Sequence, residues 1–182
     1  LLSLKDDFNG YFFESRNCTV NLTPVGTVEI DELLKSNIFV DVKVDSCTSA
    51  SSDCASWHTN PISLKDYILG VVWTEKSIST DSDFEQVKAQ MVAAKAYALG
   101  RHGSLTKKTD DGSYVITMLS NTNDQDYCDY TVGCPSGKIS GNEHKAAPSE
   151  VITLLEQAWE DTKNVYVYDE TKKSTVGSYC AN

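Results

Sequence analysis

The sequence contains no run approaching the ~20 consecutive apolar residues that a membrane helix needs, so any membrane attachment is expected from a segment not in this chain. It is short of positive charge. Lys and Arg number 16 against 26 Asp and Glu, a formal net charge of -10. Nucleic-acid phosphates demand a basic surface, so no nucleic-acid partner is expected. Acidity helps solubility and names no partner. No Cys-x2-Cys spacing occurs, and no two histidines lie three to five residues apart. A zinc site of the usual kind is therefore not expected, and neither metal nor cofactor is assigned. No segment carries a Ser/His/Asp or Cys/His nucleophile pattern. His58, His102 and His144 lie in unrelated polar segments and read as surface residues. Internal repeats and low-complexity tracts are absent. The chain starts at Leu1 without Met or a signal-peptide pattern, so it reads as a fragment or processed form of a longer precursor.

What is present is ordinary globular composition. The 182 residues are 40% hydrophobic and 23% charged. That length suits one domain, or one domain in two lobes, and can bury a core without staples. Six cysteines are present: Cys18, Cys47, Cys54, Cys128, Cys134 and Cys180. Cys47 with Cys54 and Cys128 with Cys134 each bracket a short polar loop, which leaves Cys18 and Cys180 for a long-range pair. Six cysteines allow fifteen connectivities, so proximity alone supports this one. Disulfides imply an extracytoplasmic home; six reduced, mostly buried thiols are the alternative. Of the three pairs, Cys128–Cys134 carries the firmest expectation, a disulfide and not a displaced zinc site with His144.

Periodicity supplies the elements. Residues 18–22 and 26–30 read as short strands, and Ile38 to Val44 alternates as a half-buried strand should. Ser63 with Asp66 resembles a capping box. Behind it Leu64, Tyr67, Ile68, Val71 and Val72 have helical spacing. Ser82 with Glu85 resembles a second box. The clearest helix follows, with Phe84, Val87, Met91, Ala94 and Ala98 at steps of three and four and Gly100 as the expected C-cap. Residues 103–113 read as a polar connector and Tyr114 to Leu119 as a strand. Residues 120–146 form a long polar loop of the kind that is often functional. A third helix runs from about Pro148 to Asp161. Val165 to Tyr168 and Ser174 to Tyr179 read as a hairpin.

Glu75 falls on the extension of the apolar stripe of the first helix, seven residues after Ile68. Either the helix has ended and Glu75 is a solvated end residue, or an acid has been placed on a buried face. Lys88 and Lys95, also seven apart, share a face of the second helix; a solvated face is the plain reading of two such lysines.

Leu64 to Glu75, with Tyr67, Gly70, Val71, Val72 and Glu75 in place, resembles the leading motif of the SpoIID family of sporulation lytic transglycosylases. Val87 to Tyr97 resembles its second motif, and Gln125-Asp126-Tyr127 its Q-x-Y element. Val165 to Tyr168, then Ser178-Tyr179, resemble its closing hairpin. The resemblance is strongest over residues 62–182 and extends to the whole chain, 1–182, as one domain. The family domain usually continues past Tyr179, so truncation at the C-terminus is expected. The resemblance implies an α+β fold, a two-lobed single domain with helices flanking a substrate cleft and short antiparallel strands. It implies Glu75 as the catalytic acid. Lys88, Gln90, Lys95, Gln125, Tyr127, Ser178 and Tyr179 are then the substrate-binding residues. Lys95 stands where the family usually has Arg, so a planar two-donor contact becomes a point charge. The Glu75-to-Lys88 gap is longer than is usual. Some members carry a zinc-binding His and two Cys ahead of Q-x-Y; here Met118 and Asp124 occupy that stretch, so the zinc is not carried over.

A lytic transglycosylase needs one carboxylate, where ordinary glycosidases need two. The acid protonates the glycosidic oxygen between N-acetylmuramic acid and N-acetylglucosamine. As carboxylate it then takes the proton of the muramic C6 hydroxyl, which closes a 1,6-anhydro ring. Such an acid must hold its proton near neutral pH, which burial favours. Glu75 is accordingly expected to be more buried than Glu85 or Glu156. Peptidoglycan glycan strands are the expected substrate, and the expected location is extracytoplasmic, facing the cell wall. The alternative function is a SpoIID-like glycan-binding module that stimulates a partner amidase without cutting.

Overall fold

The computed structural model describes residues 37–44, 55–76, 78–79, 84–100, 106–121, 124–134 and 145–166. These carry four strands and three helices: β1 (Ile38–Lys43), β2 (Ile62–Ser63), α1 (Leu64–Lys76), α2 (Phe84–Gly100), β3 (Thr106–Lys108), β4 (Tyr114–Leu119) and α3 (Ser149–Thr162). The expected strands at 18–22 and 26–30 lie outside the described residues. So do the hairpin beyond Tyr166 and the Ser82-Asp83 part of the second capping box.

The four strands form one sheet in the order β2-β1-β4-β3. β2 and β3 pair antiparallel with their neighbours, but the central pair, β1 with β4, is parallel, Ile38 opposite Tyr114 through Lys43 opposite Leu119. The expected short antiparallel strands are β2 and β3 at the sheet's edges, and the parallel central pair makes the sheet mixed. A parallel pair needs a long crossover, and the stretch holding α1 and α2 supplies it. The connector expected at 103–113 also contains β3. Val40 and Val42 of β1 and Tyr114, Ile116 and Met118 of β4 are buried, as their alternation requires.

The fold is α+β, with α1 as its central helix. It lies against β1 and packs on α2, while α3 packs on both other helices. A helix covered on several sides must be apolar around most of its circumference. Tyr67, Ile68, Leu69, Val71 and Val72 are accordingly all fully buried. Its start is capped as the sequence implies. The Asp66 N–H donates to Ser63 Oγ at 3.1 Å, and the Ser63 hydroxyl donates to Asp66 Oδ2 at 2.7 Å. Gly70 sits where a Cβ would lie 2.5 Å from Tyr127 Cε2 and 2.6 Å from the Cys128 carbonyl oxygen. Only glycine lets the 125–128 segment approach α1 this closely.

α2 buries Val87, Met91, Ala94 and Ala98, the predicted stripe apart from the half-buried Phe84, and a second row of Val92, Lys95 and Leu99. Gly100 is still helical and is not a left-handed cap. α3 buries Val151, Leu155, Ala158 and Thr162. Most of the buried apolar side chains gather in one cluster. The polar stretch after β4 contributes Tyr127 and Tyr130 to it, and Gln125 and Cys128 are buried as well. Within it Ser120 Oγ donates to the Tyr127 carbonyl oxygen at 2.9 Å. Cys128 and Cys134 are disulfide-bonded, with Cα atoms 5.3 Å apart, as expected. Cys18, Cys47, Cys54 and Cys180 lie outside the described residues.

Candidate functional site

Glu75 stands in the last turn of α1, and Gln90 in the second turn of α2. The side-by-side packing of the two helices brings them together: Gln90 Nε2 donates to Glu75 Oε2 at 3.0 Å. An amide N–H on one carboxylate oxygen fixes where that carboxylate points. The expected burial is not observed. Glu75 is exposed, whereas Glu85 is half-buried. The reason is positional. Thr74 is the last described residue that the helix buries, and Glu75 lies one residue beyond it.

The two lysines turn away from Glu75. The Lys88 ammonium lies 2.7 Å from Glu85 Oε1 and 3.8 Å from Asp161 Oδ2 of α3, above the Phe84 ring. Lys95 is 1% exposed. Its Nζ donates to the carbonyl oxygens of Thr162 at 2.5 Å and Lys163 at 3.0 Å, with the rings of Tyr166 and Trp159 at 4.4 and 5.5 Å. A cation here satisfies carbonyls at the C-terminus of α3 and meets its negative dipole end. Burial pushes the Lys95 pKa down to about 7. Lys95, expected to bind substrate, lies inside the fold, where it ties α2 to α3. The shared face of the two lysines is real, but it is an interhelical one.

Gln125 and Tyr127 are likewise internal. Gln125 accepts from the Tyr67 hydroxyl at 3.1 Å and donates to the Ala94 carbonyl oxygen at 3.3 Å, bridging α1 and α2. Tyr127 stacks on Tyr67 with centroids 5.5 Å apart, and its hydroxyl lies 2.9 Å from His58 Nε2. Burial pushes the Tyr127 hydroxyl well above its ordinary pKa. His58 is therefore a half-buried partner of the core and not a bare surface residue. Ser178, Tyr179 and His144 lie outside the described residues, as does His102.

The structure also pairs two residues without a role assigned from the sequence, Tyr97 at the end of the second motif and Asp124 ahead of Q-x-Y. The Tyr97 hydroxyl donates to Asp124 Oδ1 at 3.3 Å, and Asp124 Oδ2 accepts the Leu119 N–H at 2.8 Å. Tyr97 follows Gln90 by seven residues, so both project from one face of α2. That spacing was the signal available in the sequence. Among the described residues no group of three or more His, Cys, Asp or Glu is placed to hold a metal ion. Cys128 and Cys134, bonded to each other, do not fit the thiolate ligands of the zinc-bearing members.

A family model, that of the stage II sporulation protein SpoIID, matches residues 54–168, well over half of the chain. The chain belongs to the SpoIID family. The match takes in α1, α2, the Q-x-Y segment and α3, so the elements that meet at Glu75 are those of a SpoIID domain. Membership supports a sporulation-type function connected with the cell wall. The disulfide suggests an extracytoplasmic location. No described helix is long and apolar enough to cross a membrane. Neither the curated proteins nor the solved structures gave a match.

Proposed function

We propose that this SpoIID-family chain is a peptidoglycan lytic transglycosylase. It would cleave the β-1,4 bond between N-acetylmuramic acid and N-acetylglucosamine, with Glu75 as both general acid and general base. The observation that carries the reading is the meeting of the family's first two motifs: Glu75, which ends the first, is held at 3.0 Å by Gln90 of the second. A single carboxylate suffices when the nucleophile is the substrate's own C6 hydroxyl. Glu75 gives its proton to the glycosidic oxygen as the C1–O bond breaks. It then takes the C6 hydroxyl proton as that oxygen bonds to C1, so the enzyme ends the cycle in its starting protonation state. The exposure of Glu75 assigns its desolvation to the substrate. A glycan strand laid over the carboxyl removes water, and loss of water favours the protonated acid.

A second reading, a glycan-binding module that stimulates a partner amidase, draws support from one observation. Lys95 is held inside the fold at a position where the family pattern places an arginine of the cleft. Incubation with purified, peptide-free glycan strands separates the two. The enzyme reading expects 1,6-anhydro-muramic ends, and expects Glu75→Gln to lower turnover ~10²–10⁴-fold while the fold is retained. Unchanged turnover in that variant would remove Glu75 from the mechanism. Wild-type protein that binds strands without cutting them would leave the module reading.

A further inference from the structure

Two lysines are buried among the described residues, and their charges are met differently. Lys43 Nζ lies 2.9 Å from Asp41 Oδ2, so a charge faces a charge. Lys95 Nζ has neutral partners: the Thr162 and Lys163 carbonyl oxygens and the rings of Tyr166 and Trp159. The charged groups on the elements around Lys95 are engaged elsewhere. On α3 the Asp161 carboxylate reaches Lys88, and Glu160 pairs with the Lys163 side chain. Lys88 itself, seven residues back on α2, also holds Glu85. Glu75 of α1 meets α2 at Gln90. Asp124 meets it at Tyr97, roughly 200° around the helix from Lys95. A neutral amine has two N–H donors, one for each carbonyl. A third proton places an unpaired charge inside the fold, and attraction by the rings offsets only part of its lost hydration. Burial accordingly pushes the Lys95 pKa down to about 7.

We propose that Lys95 and residues 162–166 form an acid-released clasp: closed over the amine, residues 162–166 hold the end of α3 on α2, and proton uptake by Lys95 favours their release into water. The place of the two carbonyls makes this a clasp and not simply a core contact. Thr162 is the last residue of α3, and Lys163 is its C-cap. Backbone bonds from the Lys163 N–H to the Trp159 carbonyl oxygen at 2.7 Å and from the Val165 N–H to that of Thr162 at 2.8 Å close the turn. Lys163 and Asn164 are exposed. A helix end with exposed backbone opens more readily than a core helix. Once open, Lys95 is hydrated and returns to its ordinary value of 10.5. Closing therefore expels a proton at any pH between about 7 and 10.5. The closed form gains as pH rises through that range and loses as pH falls. Below about pH 7 both forms hold the proton and the dependence ends. The clasp thus sets how firmly α3 sits on the helix that presents Gln90 to Glu75. It stands independently of the catalytic reading of Glu75.

The test is native-state hydrogen exchange, followed by NMR on the intact chain and corrected for the intrinsic base catalysis of exchange. The amides to watch are Lys163 and Val165. Their protection should fall ~tenfold per pH unit from about pH 9 to about pH 7.5 and level off below about pH 7. At every pH it should stay below that of the buried core residues Ile68, Leu69 and Met91, because the clasp opens without global unfolding. Lys95→Met should remove the pH dependence at both amides. A measurement on the wild-type protein keeps the test open if that variant does not fold: the Lys95 Cε resonance should titrate near pH 7. Four results would each overturn the clasp. They are a Lys95 that stays charged to about pH 10, protection at Lys163 and Val165 that ignores pH, protection there equal to that of the core, and a wild-type slope in folded Lys95→Met.

Discussion

Lys95 shows how far a side chain's role can lie from what its pattern implies. Its spacing from Lys88 and its place in the second motif were legible in the sequence. Its burial was not, because the carbonyls it satisfies belong to residues 67 and 68 positions later. Burial lowers its pKa to about 7 from 10.5, and that has a sign. Between these values the unfolded chain holds a proton that the folded chain has lost, so stability should rise with pH through that window. Below about pH 7 both states hold the proton and Lys95 adds no slope. Tyr130 acts oppositely at the upper end. Burial and the nearby Asp66 carboxylate push it up to about 12 from 10.0, so stability should fall above pH 10. Urea melts from pH 6 to 10 should show the rise in the wild-type protein and its loss in Lys95→Met; equal slopes would refute the assignment. Gly70 is a second case. Gly70→Ala must push Tyr127 or the Cys128 carbonyl aside, at a cost of about 2–3 kcal/mol in the same melts. Wild-type stability would mean that the 125–128 segment moves away at little cost.

The three helices were legible as elements because each carries a strong apolar stripe with a recognisable start, and their ends fall within a residue or two of expectation. The sheet was legible only strand by strand. Alternation located β1 and β4, but nothing in either strand says that its partner runs parallel, since that depends on where the crossover returns the chain. β3 has three residues, too few for any period to show. The exposure of Glu75 was missed for a related reason. The helical stripe predicts direction, but what covers the last turn depends on elements far away in sequence. At this scale the disulfide gives a prediction. It closes a loop with a sequence separation of 6 around Tyr130, whose hydroxyl donates to Asp66 at 3.4 Å and whose carbonyl oxygen accepts the Ala147 N–H at 2.8 Å. Replacing both cysteines by serine should cost about 2 kcal/mol in denaturant melts. No loss would show that the neighbouring contacts hold the loop unaided.

For the whole molecule, family and architecture agree. A SpoIID match over residues 54–168 takes in every described element of the α+β core except β1. Of the described residues expected to meet substrate, the structure leaves Glu75 and Gln90 together. It assigns Lys95, Gln125 and Tyr127 to holding the helices and the post-β4 segment in place, and Lys88 to the seam with α3. The reactive centre proposed for this chain is then a small one, the Glu75 carboxylate with the Gln90 amide. The central claim is that this carboxylate cuts glycan by intramolecular transfer. Mass spectrometry of purified, peptide-free glycan strands incubated with the wild-type chain tests it most directly. Fragments ending in 1,6-anhydro-muramic acid, absent with Glu75→Gln, are the predicted result; fragments with ordinary reducing ends, or the same fragments from the variant, would contradict it.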